Sequence, residues 1–419
     1  MDNTKIRLSY GKLANQHGVD EYAYLEEINT GGTLNYTLDG TSKLQYAYPS
    51  NPKTSYLTWE TIATWNIGLD MSFLNSRLNF TGDYFIRDTE GMLAKSYVLP
   101  SVFGAKEPKE NCADLRTKGW ELSLNWNDSF ALMGKRFNYT VSASLGDNKT
   151  VITKYNNPEK LLTDYYEGMV LGEIWGYRVD GLFTSDEEAT EYTSKINQDF
   201  VNARILSDKV DPYYRAGDLK FRDLDNNNVI NKGDDTVYDP GDREIIGNET
   251  PRYNYSFRLG ADWNGFDLGI FFQGVGKRDW YPNHLSTGFW GPYSRAFTSF
   301  IPENFMDQCW SEENPGGYFP RFRGYQTFKD SQLGVNNDRY LQNASYIRLK
   351  NLTVGYTLPV LKKVFTKLRV YFTGENLWYW SPMKKYTKYI DPEAAGGNGN
   401  TGMAYNYSRN FSVGVDITF

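Results

Sequence analysis

Asp223, Asp225 and Asn227 stand two residues apart in the stretch DLDNNNVINKGD. Oxygen ligands at positions 1, 3 and 5 of a twelve-residue loop can converge on one hard cation if the chain turns tightly. Val229 would then offer its carbonyl at position 7, and Asp234 would close the set at position 12. Ile230 between them suits an apolar anchor. The stretch departs from the usual calcium loop in three ways: Asn228 replaces the turn glycine, Asp replaces Glu at the last ligand, and no clear helices flank it. Asparagine tolerates the left-handed backbone that the turn needs. Calcium in a structural role is therefore the chemistry this spacing supports, and an ion-free polar turn is the alternative.

Little else in the chain could do chemistry. It has two histidines, His17 and His284, and two distant cysteines, Cys112 and Cys309, so imidazole catalysis, zinc binding and a disulfide framework lack raw material. Carboxylates are plentiful, but count alone makes no catalytic pair, and an enzyme is not expected. Trp290, in GFWGPYSRAF, and Trp378 and Trp380, in WYW, are candidate stacking surfaces for sugar rings or peptide side chains. The alternative for each is a membrane-interface girdle or loop packing. Ser185 before an acidic run predicts a short capped helix. A net charge of −6 with scattered basic residues argues against a nucleic-acid partner.

The elements that would hold these residues are strands. Aromatic residues make up 16% of the chain, yet its mean hydropathy is −0.60 and it has no long apolar run. Helical membrane spans are thereby excluded. About ten segments alternate between an apolar face and a small, polar or charged one. In WNIGLDMSF, Trp65, Ile67, Leu69, Met71 and Phe73 oppose Asn66, Gly68, Asp70 and Ser72. The polar faces, with Asp83, Glu121, Arg258, Asp262 and Arg369 among them, suit a wet interior. Connections alternate between short turns, Asn264-Gly265 being the clearest, and links of tens of residues, such as 89–118 and 147–251. Long loops at one end and short turns at the other are the pattern of an outer-membrane barrel. A secreted carbohydrate-binding or adhesive β-domain, or a passive ten-stranded pore, is the alternative. The chain ends in the alternating run FSVGVDITF, so Phe419 falls at the turn-bearing rim, and the strand is expected to close the barrel against its first partner.

Several stretches resemble the SusC/RagA family of TonB-linked outer-membrane transporters. They include IRLSYGKLANQ, LTWETIATWNIGLDMSF, LRTKGWELSLNW, GYRVDGLF, GDLKFRDLDNNNVI, DREIIGNETPRYNYSF, ASYIRLKNLTVGYTLP, LRVYFTGENL and DPE at 391–393, in order along nearly the whole chain. The resemblance implies an all-β fold: an antiparallel transmembrane β-barrel portion of about ten strands, with short periplasmic turns and long extracellular loops. These strands match the last ten of a barrel of about 22. Residues 1–419 would then be the C-terminal part of the barrel, with signal peptide, TonB box, plug and first barrel half absent. It further implies import of oligosaccharides, or of peptides in some relatives. The implied partners are a SusD-like surface lipoprotein, the TonB complex, outer-membrane lipid and the barrel-assembly machinery, which would read Phe419 as an assembly signal.

Overall fold

The computed structural model describes residues 1–16, 24–37, 40–54, 57–95, 100–299, 301, 303–328, 330–359, 366–396 and 404–419. His17 and most of the turn between Pro359 and Lys367 lie outside them. Ten long strands form one antiparallel sheet in chain order, each paired with the next. They are β1 (Asn3–Asn15), β2 (Glu60–Phe73), β3 (Leu78–Lys95), β4 (Lys109–Leu132), β5 (Lys135–Lys154), β6 (Arg252–Trp263), β7 (Phe266–Lys277), β8 (Tyr346–Leu358), β9 (Lys367–Trp380) and β10 (Asn410–Thr418).

The register carries each sequence alternation into a sheet face. Leu8, Ile67, Tyr84 and Trp120 are successive partners across β1 to β4, and Phe266, Tyr356 and Val370 across β7 to β9. On the other face Arg7 bridges Asp70 and Asp83 at 2.8 Å each, and Arg369 bridges Asp267 and Asp416. Hydroxyl and amide pairs such as Ser142–Asn125 and Asn138–Asp262 continue that polar wall. One side therefore suits lipid and the other water, because side chains on a strand alternate.

Turn chemistry sets the short end. Asn264 and Gly265 have φ of 48° and 89°, joining Trp263 to Phe266 through two left-handed residues. This is the geometry the Asn-Gly pair selects. Met133 and Gly134 join β4 to β5 in the same way.

Two expectations change. The link read between Thr89 and Lys118 is mostly strand, because β3 and β4 stay paired out to Lys95 and Lys109. Register shifts between Thr89 and Leu93 break the period-2 pattern without ending the hydrogen-bond ladder, so alternation fails where pairing does not. The second change concerns closure: β10 does not pair with β1, and the two are the open edges of the sheet. The ten strands thus form an arc and not a closed ten-stranded pore. Phe419 lies one residue beyond β10 and is exposed.

Beyond the long end, the loops build their own core. Tyr177, Phe221, Trp280, Trp290, Tyr293, Phe319, Tyr340 and Ile390 pack together from the loops after β5, β7 and β9. Helix α1 (Asp186–Lys195) lies in the first of these, its Ser185 hydroxyl accepting the Glu188 amide at 3.1 Å.

The lipid-facing assignment is testable on β2. Gly68 is no neutral inward control, because a Cβ there would lie 2.6 Å from the Arg7 guanidinium. Asn66 is inward without that constraint. In the full-length protein, Leu69→Arg should lower the heat-modifiable barrel in outer-membrane fractions sharply, at a cost of about 2–4 kcal/mol. Asn66→Arg should leave the amount close to wild type; equal defects would refute the assignment of faces.

Candidate functional site

The outer loops place the chemistry-bearing residues. In the loop after β5, Asn226 and Asn228 take left-handed φ of 61° and 64°, which folds the acidic stretch back on itself. Asp223 Oδ2 accepts the Asn228 amide at 2.8 Å, Asp225 Oδ1 the Asn227 amide at 3.0 Å, and Asn227 Oδ1 the Val229 amide at 2.7 Å. Ile230 is fully buried beneath them, as its anchoring role requires.

The carboxylates that gather are Asp223, Asp225 and Asp242, with one oxygen of each within 4.8 Å of the others. Asp234 is not in that group. Gly233 and Asp235, both left-handed, turn the chain away, and the Asp234 amide donates to Asp239 Oδ2 at 3.2 Å. Asp242 is returned to the loop by accepting the Leu224 and Asn231 amides, and burial pushes its carboxyl above the usual range. Asp223 Oδ1 is buried without a partner, so the group keeps one free acceptor. Val229 O accepts from the Asn231 side chain at 2.9 Å. Position 12 of the spacing pattern thus gives way to a residue that only the return of the chain brings near.

The three tryptophans separate. Trp290 is fully buried, its ring against Phe289, Phe319 and Tyr340 at 4.7, 6.3 and 5.3 Å and its Nε1 donating to Pro282 O and Asn283 O. It is a packing residue with no free face for a ligand. Trp378 and Trp380 are about half exposed, and Trp378 continues the outward row through Leu349 and Phe272. That row puts them at the outer rim of the lipid face, where an indole suits the membrane interface.

Two features escaped sequence reasoning. Arg348 of β8 is buried with Asp391 and Glu393, its Nε 3.0 Å from Glu393 Oε2. The rings of Tyr379 and Tyr407 lie 4.7 and 5.2 Å from its guanidinium carbon, and Lys350 completes the set at 2.8 Å from Glu393. The DPE segment is thus the latch that docks the last long loop on the barrel. The only sequence signal was a charged tripeptide in a loop. The second feature is a cleft of about 480 Å³ between the loops after β5 and β7, lined in part by Tyr166, Trp175, Trp280, Tyr281, His284 and Glu173. Trp175 Nε1 is buried there without a hydrogen-bond partner, and Tyr166 donates to Glu173 at 2.6 Å. Aromatic walls with polar tips are suited to a polar ligand that also has apolar faces.

No family model matches the chain. Among curated proteins it is 28% identical to TonB-dependent receptor P26 of Formosa agariphila over 99% of the chain, and 24% identical to TonB-dependent receptor SusC of Bacteroides thetaiotaomicron over 100% of it. The chain is a homologue of the SusC-type TonB-dependent receptors. It spans about two fifths of the length of these relatives, 40% and 38% respectively. Among solved structures, a chain of the RagAB peptide transporter superposes with a TM-score of 0.69 at 22% identity, over 99% of this chain and 41% of that one. The fold is that of an outer-membrane β-barrel transporter, and the ten-stranded sheet belongs in the outer membrane.

The latch gives a sharp expectation. Asp391→Ala leaves the Arg348 charge buried with one carboxylate fewer, a loss of about 3–5 kcal/mol when such a pair is broken. Limited proteolysis of the full-length variant should cut within residues 381–396 much faster than wild type, while the heat-modifiable barrel persists. Unchanged cleavage would show that the latch does not hold the loop.

Proposed function

We propose that this chain is the C-terminal part of the barrel of a TonB-dependent importer of oligosaccharides. Further strands from a longer protein would cover the edges of β1 and β10, and its plug and TonB box would gate and energise the pore. A SusD-like surface lipoprotein would cap the outer loops and hand the glycan to them. The observation that carries this reading is the open arc itself. Its apolar outer face, charged inner face and two edge strands support its being one wall of a larger barrel, since unpaired backbone is not tolerated in lipid. Phe419, just past the last strand, would serve the assembly machinery as a terminal signal.

A host strain lacking the full-length gene tests the reading. It should lose growth on a particular oligosaccharide, and regain it when the gene is restored, and the tagged receptor should co-purify with a surface lipoprotein. Normal growth on every glycan, with loss of growth on peptides, would reassign the cargo to peptides, the ligand class of the RagAB transporter.

We further propose that Asp223, Asp225 and Asp242 hold a calcium ion of structural role, a reading supported by the unpartnered Asp223 oxygen in a three-carboxylate group. Removing two anionic ligands in Asp223→Ala/Asp225→Ala should loosen residues 155–251 and leave the strands intact. Chelator should speed proteolysis of this loop in wild type but not in the variant, and metal analysis should find one calcium fewer. Identical cleavage with and without chelator would leave the stretch as an ion-free polar turn.

A further inference from the structure

A second cavity, an open groove of about 600 Å³, lies between residues 204–211 of the loop after β5 and residues 321–326 of the loop after β7. Arg204, Lys209, Arg321 and Arg323 line it, together with the carboxylates of Asp208 and Asp211. The carboxylates are already engaged. Asp208 Oδ1 accepts the Val210 amide at 2.8 Å, and Asp211 pairs with Arg215 at 2.9 Å. Arg323 is likewise committed, to buried Asp218 at 3.0 Å. Among the described residues no carboxylate forms an ion pair with the other three cations. Arg204 lies over the Tyr325 ring, and Arg321 over that of Trp310, with its Nε donating to Ala216 O.

An independent observation points to the same ligand chemistry. Gln326, which also lines the groove, is fully buried, and its Nε2 has no hydrogen-bond partner. The amide cannot relieve this by flipping. Gln332 Oε1 accepts the Leu219 amide at 2.8 Å, so Gln332 Nε2 is left to donate, and it does so to Gln326 Oε1. Gln326 Nε2 is thereby held as a donor awaiting an acceptor, and a buried donor without one is costly. An amide N–H held as a donor, in a groove whose lining includes cations with no carboxylate partner among the described residues, suits an anionic oxygen.

We infer that this groove is a subsite for an acidic oligosaccharide, a sugar bearing carboxylate or sulfate groups. The choice of a glycan rests on the importer reading above. It is supported by Phe322 in the lining, which is exposed, since an aromatic face can pack against a sugar ring.

The test uses the full-length transporter in detergent. Calorimetric titrations would compare chondroitin 4-sulfate hexasaccharide with its desulfated form, its carboxyl-reduced form and the neutral form lacking both charges. An oligo-aspartate hexapeptide would serve as the peptide probe. The sulfated hexasaccharide should bind more than about tenfold tighter than the neutral form, as expected when charge-assisted hydrogen bonds are gained. Arg204→Glu/Lys209→Glu, both exposed positions, should remove that advantage while leaving the heat-modifiable barrel unchanged, and the two singly charged forms show which anion is read. Four outcomes would overturn the inference: equal affinity of acidic and neutral sugars, an advantage that survives the charge reversal, no binding by any hexasaccharide, or charge-dependent binding of the hexapeptide alone. Equal affinity of the acidic and neutral sugars would leave the importer reading standing, because that reading is decided by growth and uptake.

Discussion

Every backbone N–H and C=O that enters hydrocarbon must be paired within the protein. The architecture follows from that one constraint. It requires strands long enough to cross with an unbroken ladder, which ten of them supply. It confines non-strand backbone to the two ends, where water can solvate it. It also singles out β1 and β10, the strands at the two edges of the sheet, whose outer backbone groups lack a strand partner among the described residues. The side-chain pattern is secondary to the ladder: once the backbone is paired, period-2 alternation assigns one face to lipid and the other to a wet lumen.

The lumen-facing charges obey a related rule. Arg7 and Arg369 each bridge carboxylates from two other strands, one adjacent and one a strand further across the sheet, so ionic contacts run across the sheet and follow its register. Gly68 and Gly355 make room for these guanidinium groups. A Cβ at Gly355 would lie 2.7 Å from Arg369 Nε, much as one at Gly68 would meet Arg7. Small residues on the inner face are thus space for ion pairs as well as polar lining.

Outside the membrane the constraint is lifted, and a conventional core takes over. The loops after β5, β7 and β9 bury their aromatic residues against one another, and burial of each large side chain stabilises by about 1.5–3 kcal/mol. The Arg348 latch joins this core to the barrel wall. The result is a packed outer assembly that places the acidic loop, the aromatic cleft and the basic groove in connections with little regular structure.

The sequence alone disclosed what is periodic or local. Alternation marked the strands, Asn264-Gly265 its turn, Ser185 the cap of α1, and the spacing of Asp223 and Asp225 a shared acidic loop. These depend on residues within a few positions of each other, so their physics is contained in a short stretch. Alternation ceased to be informative between Thr89 and Leu93, where bulges keep the ladder but shift the phase. The tertiary structure decided whatever depends on chain return: Asp242 in place of Asp234, Trp290 as core, Trp378 and Trp380 at the outer rim, and Arg348 as partner of Asp391. It also left β10 unpaired with β1. Each outcome joins residues far apart in sequence through burial or long-range pairing, and no local pattern encodes which distant segment will occupy the neighbouring space.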